Sequence, residues 1–201
     1  MTLKITALNC TLKTGKKASS TERLLNEILT EFKGYGADGE LIRITELNIK
    51  PGVTSNEGDG DDWPDVRKKI LNSDILLMGT PIWLGQPSSV CHRVLERMDA
   101  FLGETDEKGR MVSYGKIACV AVVGNEDGAH HVSAELYQAL NDVGFTLAAN
   151  AVSYWVGEAM GSTDYKDLKK TPDKVANATK MMVRNTVHLA NLLKENQYPG
   201  E

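Results

Sequence analysis

Leu3-Lys4-Ile5-Thr6-Ala7-Leu8-Asn9-Cys10, continued by Thr11-Leu12-Lys13 and closed by Ser19-Ser20-Thr21-Glu22-Arg23-Leu24-Leu25, is the stretch whose reading decides the fold. A short apolar run ends in a hydroxyl-rich loop that opens directly into a helix. The helix is legible because Leu24, Leu25, Ile28, Leu29 and Phe32 recur on one face between Ser20 and Lys33. Ser20 or Thr21 is suited to cap it, and Gly34 and Gly36 to end it. Strand, turn and helix N-terminus together make an anion site. The first helical N–H groups lack internal partners, and the helix dipole favours negative charge there. Hydroxyls of Thr11, Thr14, Ser19, Ser20 and Thr21 can donate to phosphate oxygens, and Lys13 adds charge. A solvated loop with a helix cap would use the same residues.

Outward from this unit, apolar runs alternate with helical patterns. Strands are expected at Leu3–Cys10, Gly39–Thr45, Asp74–Thr80, Lys116–Val123 and Phe145–Val152. Helices are expected at Ser20–Lys33, Asp65–Leu71, Ser88–Leu102, Ala129–Val143 and Pro172–Glu195. The third and fourth strands are continuously apolar, as in a parallel sheet covered on both faces. Repeated βα units imply right-handed crossovers and one α/β domain over residues 1–201. Ser153–Thr171 has no clear periodicity and reads as an arm or lid, and Asn48–Asp62 as a polar loop.

Bulk composition narrows the function classes. The chain has 201 residues, 41% hydrophobic and 25% charged, with a formal net charge of −4. That balance argues against a nucleic-acid partner, which selects a basic face. No apolar run approaches the ~20 residues of a membrane span, and Met1-Thr2-Leu3-Lys4 does not read as a signal peptide. Cys10, Cys91 and Cys119 are widely spaced, without zinc-type pairing, so no metal is expected and a reducing, cytoplasmic setting fits. The acidic run Glu57-Gly58-Asp59-Gly60-Asp61-Asp62 lacks the glutamate that closes a calcium loop.

In open α/β sheets, ligands bind beyond the carboxyl ends of the strands. Three loops lie there. Asn9–Thr21 is the first; it is not a Walker A loop, because Cys10 and Lys17 stand where Gly and Ser or Thr are needed. The second is Thr80-Pro81-Ile82-Trp83-Leu84-Gly85-Gln86-Pro87-Ser88-Ser89, in which Pro81 stiffens the exit, Gly85 admits close approach and Trp83 offers a flat surface. Trp83 would equally pack under its own helix or at a subunit contact. The third is Gly124-Asn125-Glu126-Asp127-Gly128-Ala129-His130-His131. The adjacent histidines diverge by ~100° on a helix, so they do not share one ion; His130 or His131 can instead contact a substrate or start the helix.

These loops resemble those of the flavodoxin-like NAD(P)H-dependent FMN reductases. Asn9-Cys10-Thr11-Leu12-Lys13 with Ser19-Ser20-Thr21 is similar to that family's N-G-S-P-R loop and following turn, with Cys10 for Gly, Thr11 for Ser and Lys13 for Arg. Thr80-Pro81-Ile82-Trp83-Leu84-Gly85 resembles its T-P-x-Y/W-x-G motif, and Gly124 to Gly128 its loop near the flavin ring. The resemblance spans roughly residues 3 to 152. It implies a flavodoxin-like three-layer sandwich with a five-stranded parallel sheet in the order 2-1-3-4-5. It implies FMN held by Thr11, Lys13, Ser19, Ser20 and Thr21 at the phosphate, and by Pro81, Ile82, Trp83, Leu84, Gly85, Gln86, Gly124, Asn125 and Gly128 around the ring. It further implies NADPH or NADH as electron donor, a small-molecule acceptor such as a quinone, no catalytic side chain, and a homodimer or homotetramer with the helix after Pro87 at the contact. A flavodoxin-type electron carrier and a flavin-free binding domain on the same scaffold remain alternatives.

Overall fold

The computed structural model describes residues 2–200. Strands β1 (Leu3–Asn9), β2 (Ala37–Arg43), β3 (Ile75–Trp83), β5 (Ile117–Gly124) and β6 (Thr146–Val156) form one parallel sheet in the order β2-β1-β3-β5-β6. A two-residue strand β4 (Gln86–Pro87) pairs antiparallel with the end of β3 and makes a sixth. Numbered without it, the long strands run 2-1-3-4-5, the expected order.

Helices α1 (Ser20–Lys33) and α5 (Asp173–Glu195) cover one face of the sheet. Helices α2 (Trp63–Leu71), α3 (Ser89–Met98) and α4 (Ala129–Asp142) cover the other. Alternate residues of the central strands enter the two cores. Ile75 and Leu77 face α1 and α5, while Leu76 and Met78 face the opposite layer. That is why β3 and β5 read as unbroken apolar runs. Burial of these runs and of the inward faces of the helices is the main favourable term of the fold.

Several boundaries differ from those read in the sequence, each with a physical cause. Strand β2 lies two residues earlier, because its register is set by pairing with β1, Leu3 opposite Ala37 through Asn9 opposite Arg43. An edge strand with exposed Asp38, Gly39 and Glu40 carries little apolar pattern to fix its ends. Strand β3 runs on to Trp83 because β4 folds back on it through Leu84 and Gly85, at φ 54° and 74°. Two consecutive positive φ values close a tight hairpin. Helix α3 ends at Met98 and passes into a 3₁₀ turn at Asp99–Gly103.

The segment after Val152 is bound to the body of the molecule. Strand β6 continues to Val156, beyond a register shift between Ala118 and Val120 of β5. Farther on, Tyr165 is fully buried against α1. Arg23 of α1 donates from Nη1 to the carbonyls of Tyr165 (2.8 Å) and Leu168 (2.7 Å), and its guanidinium lies 5.0 Å from the Tyr165 ring centre. The Tyr165 hydroxyl donates to Glu27. Burial, then this carboxylate, push the Tyr165 phenol well above its ordinary range.

The polar loop before α2 is anchored from below. Asp61 and Arg97 form an ion pair at 2.8 Å with both side chains shielded from solvent. Arg97 also donates to the carbonyls of Lys50 (2.9 Å) and Thr54 (2.9 Å). Burial alone would raise the Asp61 pKa. The Arg97 hydrogen bond and the N–H groups of Glu57, Trp63 and Lys50 outweigh it and bring the carboxyl down to about 2. Among the described residues, no helix is long and apolar enough to cross a membrane, and no group of three or more His, Cys, Asp or Glu is placed to hold a metal ion.

Candidate functional site

At the carboxyl end of the sheet, hydrogen bonds and backbone contacts draw the three loops together. Cys10 N–H donates to the Gly79 carbonyl (2.9 Å) as β1 leaves the sheet. Ser88 Oγ donates to the Cys10 carbonyl (2.6 Å), and Ser88 N–H donates to Thr80 Oγ1 (3.0 Å), so the first and second loops share one network. The second and third loops meet at glycines. Gly128 sits at φ +123°, and a Cβ built on it would lie 2.8 Å from the Gly85 Cα. Only glycine admits both that dihedral and that approach. Leu84 N–H donates to Glu126 Oε1 (3.1 Å).

The third loop is in turn joined to the segment after β6. Gly157 N–H donates to the Gly124 carbonyl (2.8 Å), and Met160 N–H to the Asn125 carbonyl (3.1 Å). Asn125 Nδ2 donates to Asp164 Oδ1 (3.1 Å). Lys166 N–H donates to Ser20 Oγ (3.2 Å), which closes the circle back to α1.

These segments surround a cleft of ≈ 430 Å³. Thr11, Lys13, Ser19, Ser20, Thr21, Pro81, Ile82, Trp83, Leu84, Gly124 and Asn125 all line it, as placed together from the sequence. Three other expected residues are not on its surface. Gly85 and Gly128 support the loops through their mutual contact, and Gln86 turns away to His131, with Gln86 Nε2 2.9 Å from His131 Nε2. The histidines also lie off the cleft. His131 pairs with Glu135 one turn along α4 (2.6 Å), and His130 meets the Tyr154 ring edge-on with Nε2 3.1 Å from its hydroxyl.

Leu12, Val123, Glu126, Trp155, Met160 and Asp164 line the cleft and were missed by sequence reasoning. Trp155 had a signal: extending the last strand by a few residues would have put it at a carboxyl strand end. Met160 and Asp164 had none, because they arrive from an irregular segment.

The two ends of the cleft differ in chemistry. At one end lie the start of α1 and its hydroxyls. Ser19 Oγ caps the helix by accepting from Glu22 N–H (3.2 Å). Ser20 Oγ accepts from Lys166, which leaves its own hydrogen available to a ligand. The N–H groups of Ser20 and Thr21 have no acceptor among the described residues. Lys13 stands nearby, its Nζ 3.9 Å from Asp164. The Lys166 hydrogen bond holds the Asp164 carboxyl below its usual range against partial burial, with help from Lys13 and Asn125.

At the other end are flat and apolar groups. Trp83 is 54% exposed, Leu84 91% and Met160 96%, while Trp155 packs against Tyr165 with ring centres 5.4 Å apart. Leu84 (φ 54°) and Met160 (φ 60°) are both in the left-handed region, which is unfavourable for their side chains. The arrangement suits a ligand with an anionic tail and a planar, largely apolar head. Its donor set fits flavin mononucleotide: unpaired N–H groups and hydroxyls for a phosphate, and aromatic and aliphatic walls with polar edges for the ring.

Fold and cleft thus define an α/β protein with a cleft, polar at one end and apolar at the other, at the carboxyl ends of its strands. Residues 3–160 match the family model described as NADPH-dependent FMN reductase, and the chain belongs to that family. The layering and strand order are flavodoxin-like. Among curated proteins, the chain is 32% identical to the 8-demethyl-8-aminoriboflavin-5'-phosphate synthase of Streptomyces davaonensis, over 98% of this chain and 81% of that one. It is similar to a crystal structure of RosB with the bound intermediate 8-demethyl-8-formylriboflavin-5'-phosphate, at TM-score 0.86 and 30% identity, covering 98% of this chain and 82% of that one. A flavone reductase structure shares the fold at TM-score 0.70 and 19% identity, covering 98% of this chain and 66% of that one.

Proposed function

We propose that the cleft holds FMN and that the protein is an NAD(P)H-dependent FMN oxidoreductase delivering electrons to a small acceptor such as a quinone. The observation that carries this reading is the pairing, in one cleft, of the open α1 N-terminus at Ser20 and Thr21 with the exposed indole of Trp83. Thr11, Lys13, Ser19, Ser20 and Thr21 would hold the phosphate through charge-assisted hydrogen bonds. Pro81, Ile82, Trp83 and Leu84 would form one wall of the ring site, Gly124 and Asn125 another. When bound, FMN would supply two-electron, hydride-accepting chemistry in the cleft. The chain's own part is to orient the ring and leave one side open for the second substrate. Asn125 Nδ2 is held by Asp164 and the Gly161 carbonyl, so its side chain is fixed in direction before any ligand arrives.

Self-association as a homodimer or homotetramer through α3, and a cytoplasmic setting, belong to the same reading. The test is an anaerobic titration of FMN-loaded protein with NADPH and NADH, followed by addition of menadione. Bleaching of the visible flavin band and its return with menadione are expected. A band that neither nucleotide bleaches would refute the reductase reading.

A second reading, in which flavin phosphate is converted in the cleft rather than retained, is favoured by the similarity to a protein named as an aminoriboflavin phosphate synthase. Mass spectrometry of the flavin recovered after incubation with candidate amine donors separates the two. An unchanged flavin mass fits a cofactor, and an altered one a substrate.

A further inference from the structure

The start of the first loop is held internally, by Thr11 N–H to Asn9 Oδ1 (3.2 Å) and Lys13 N–H to Thr11 Oγ1 (3.3 Å), whereas residues 13–17 are held from outside, by residues at and just after the end of β2. Arg43 is the register partner of Asn9, the last residue of β1 before the loop begins. Its side chain crosses that gap and is only 13% exposed. Arg43 Nη1 lies within hydrogen-bond distance of three loop carbonyls: Gly15 (2.5 Å), Lys17 (3.1 Å) and Lys13 (3.4 Å). Arg43 Nη2 is paired with the Glu22 carboxylate in the first turn of α1, and the same Glu22 oxygen accepts from Asn9 Nδ2 (3.4 Å).

Its neighbours in sequence act on the same loop. Thr45 Oγ1 donates to the Lys13 carbonyl (3.1 Å), and Glu46 Oε1 accepts from Gly15 N–H (2.6 Å). Every contact falls on residues 13–17 or on the start of α1, and none reaches the ring end of the cleft.

We infer that Arg43 is a positioning and specificity-determining residue for the phosphate of the bound flavin, acting through the loop and through Glu22 without touching the ligand. The inference rests on the FMN reading above. Two physical effects add. Guanidinium bonds to three carbonyls fix the loop that presents Thr11 and Lys13, so less loop entropy is lost when a phosphate binds. The same guanidinium neutralises Glu22, whose charge would otherwise stand beside a phosphate dianion at the helix start. Lys13, in the first loop, is a point charge without a planar fork, and the fork that orders this region is supplied by Arg43 of the adjacent strand. Riboflavin lacks the phosphate and gains from neither effect.

The experiment measures dissociation constants of FMN and of riboflavin for the wild type, Arg43→Met, Arg43→Lys and Arg43→Met/Glu22→Gln, by quenching of flavin fluorescence. The wild type is expected to prefer FMN. Arg43→Met is expected to weaken FMN binding tenfold or more while leaving riboflavin within twofold. Arg43→Lys, which keeps charge but not the fork, falls between, and adding Glu22→Gln recovers part of the loss. A merely structural role would weaken both ligands together, and that result overturns the inference. So does an FMN preference that survives in Arg43→Met. A wild type that binds riboflavin as well as FMN refutes instead the phosphate-site reading on which the inference stands. Arg43→Lys carries the comparison if Arg43→Met does not fold.

Discussion

The buried pair Asp61–Arg97 gives a sharp prediction, because both its magnitude and its pH window follow from the structure. The perturbation is Asp61→Asn. In the folded chain the Asp61 carboxyl titrates at about 2, against 3.8 for the free group. A depressed folded pKa stabilises the fold above the unfolded value, and the gain fades as pH falls from about 4 to about 2. That shift corresponds to about 2 kcal/mol. Removing one member of a shielded pair costs more at neutral pH, ~3–5 kcal/mol, because Arg97 stays charged with a neutral amide beside it. Urea unfolding at pH 7, 5, 4 and 3 is the assay. Asp61→Asn is expected to unfold at lower urea at pH 7, and its deficit relative to the wild type is expected to shrink by about 1 kcal/mol by pH 3, roughly halfway through the window in which the pair is lost. Equal midpoints at pH 7, or a deficit constant from pH 7 to pH 3, would refute the reasoning. Loss is expected first in residues 50–62, which Arg97 holds by the Lys50 and Thr54 carbonyls, and hydrogen exchange of those amides checks it.

Two further predictions concern the walls of the cleft. Gly128→Ala places a Cβ 2.8 Å from the Gly85 Cα at φ +123°; a loss of about 2 kcal/mol in stability is expected, with a weaker flavin complex, both read by thermal melts with and without FMN. Arg23→Ala removes the donor to the Tyr165, Lys166 and Leu168 carbonyls; faster proteolytic nicking within residues 157–171 is expected, and an unchanged digestion rate would show that Tyr165 burial and the bonds to the third loop and Ser20 hold the segment without Arg23.

How far the site could be read in the sequence depended on how each residue arrives there. Trp83 and Pro81 follow an apolar strand directly, and the phosphate end follows β1 directly. A strand's carboxyl end is local information, which is why residues read from the sequence as neighbours line one cleft. Gln86 does not line the cleft because β4 folds back on β3: a hairpin closed by Leu84 and Gly85 turns Gln86 toward His131. Asp164 reaches the cleft from a segment held by Arg23 and Glu27 at Tyr165, a contact 142 residues apart for Arg23, and by Asn125 of the third loop. No pattern in either segment announces it.

The sequence by itself determined the α/β class and where the loops at the carboxyl ends of the strands fall, which rest on short-range periodicity and on the rule that parallel strands covered on both faces are apolar throughout. The strand order came from the resemblance of those loops to the flavodoxin-like FMN reductases. The tertiary structure alone decided which polar and charged groups meet: Arg43 with the Gly15 carbonyl, Arg97 with Asp61, Asn125 with Asp164. Such pairings depend on which chain segments the packed sheet brings to the same edge. Burial sets their strength, and neither quantity is written in the spacing of residues along the chain.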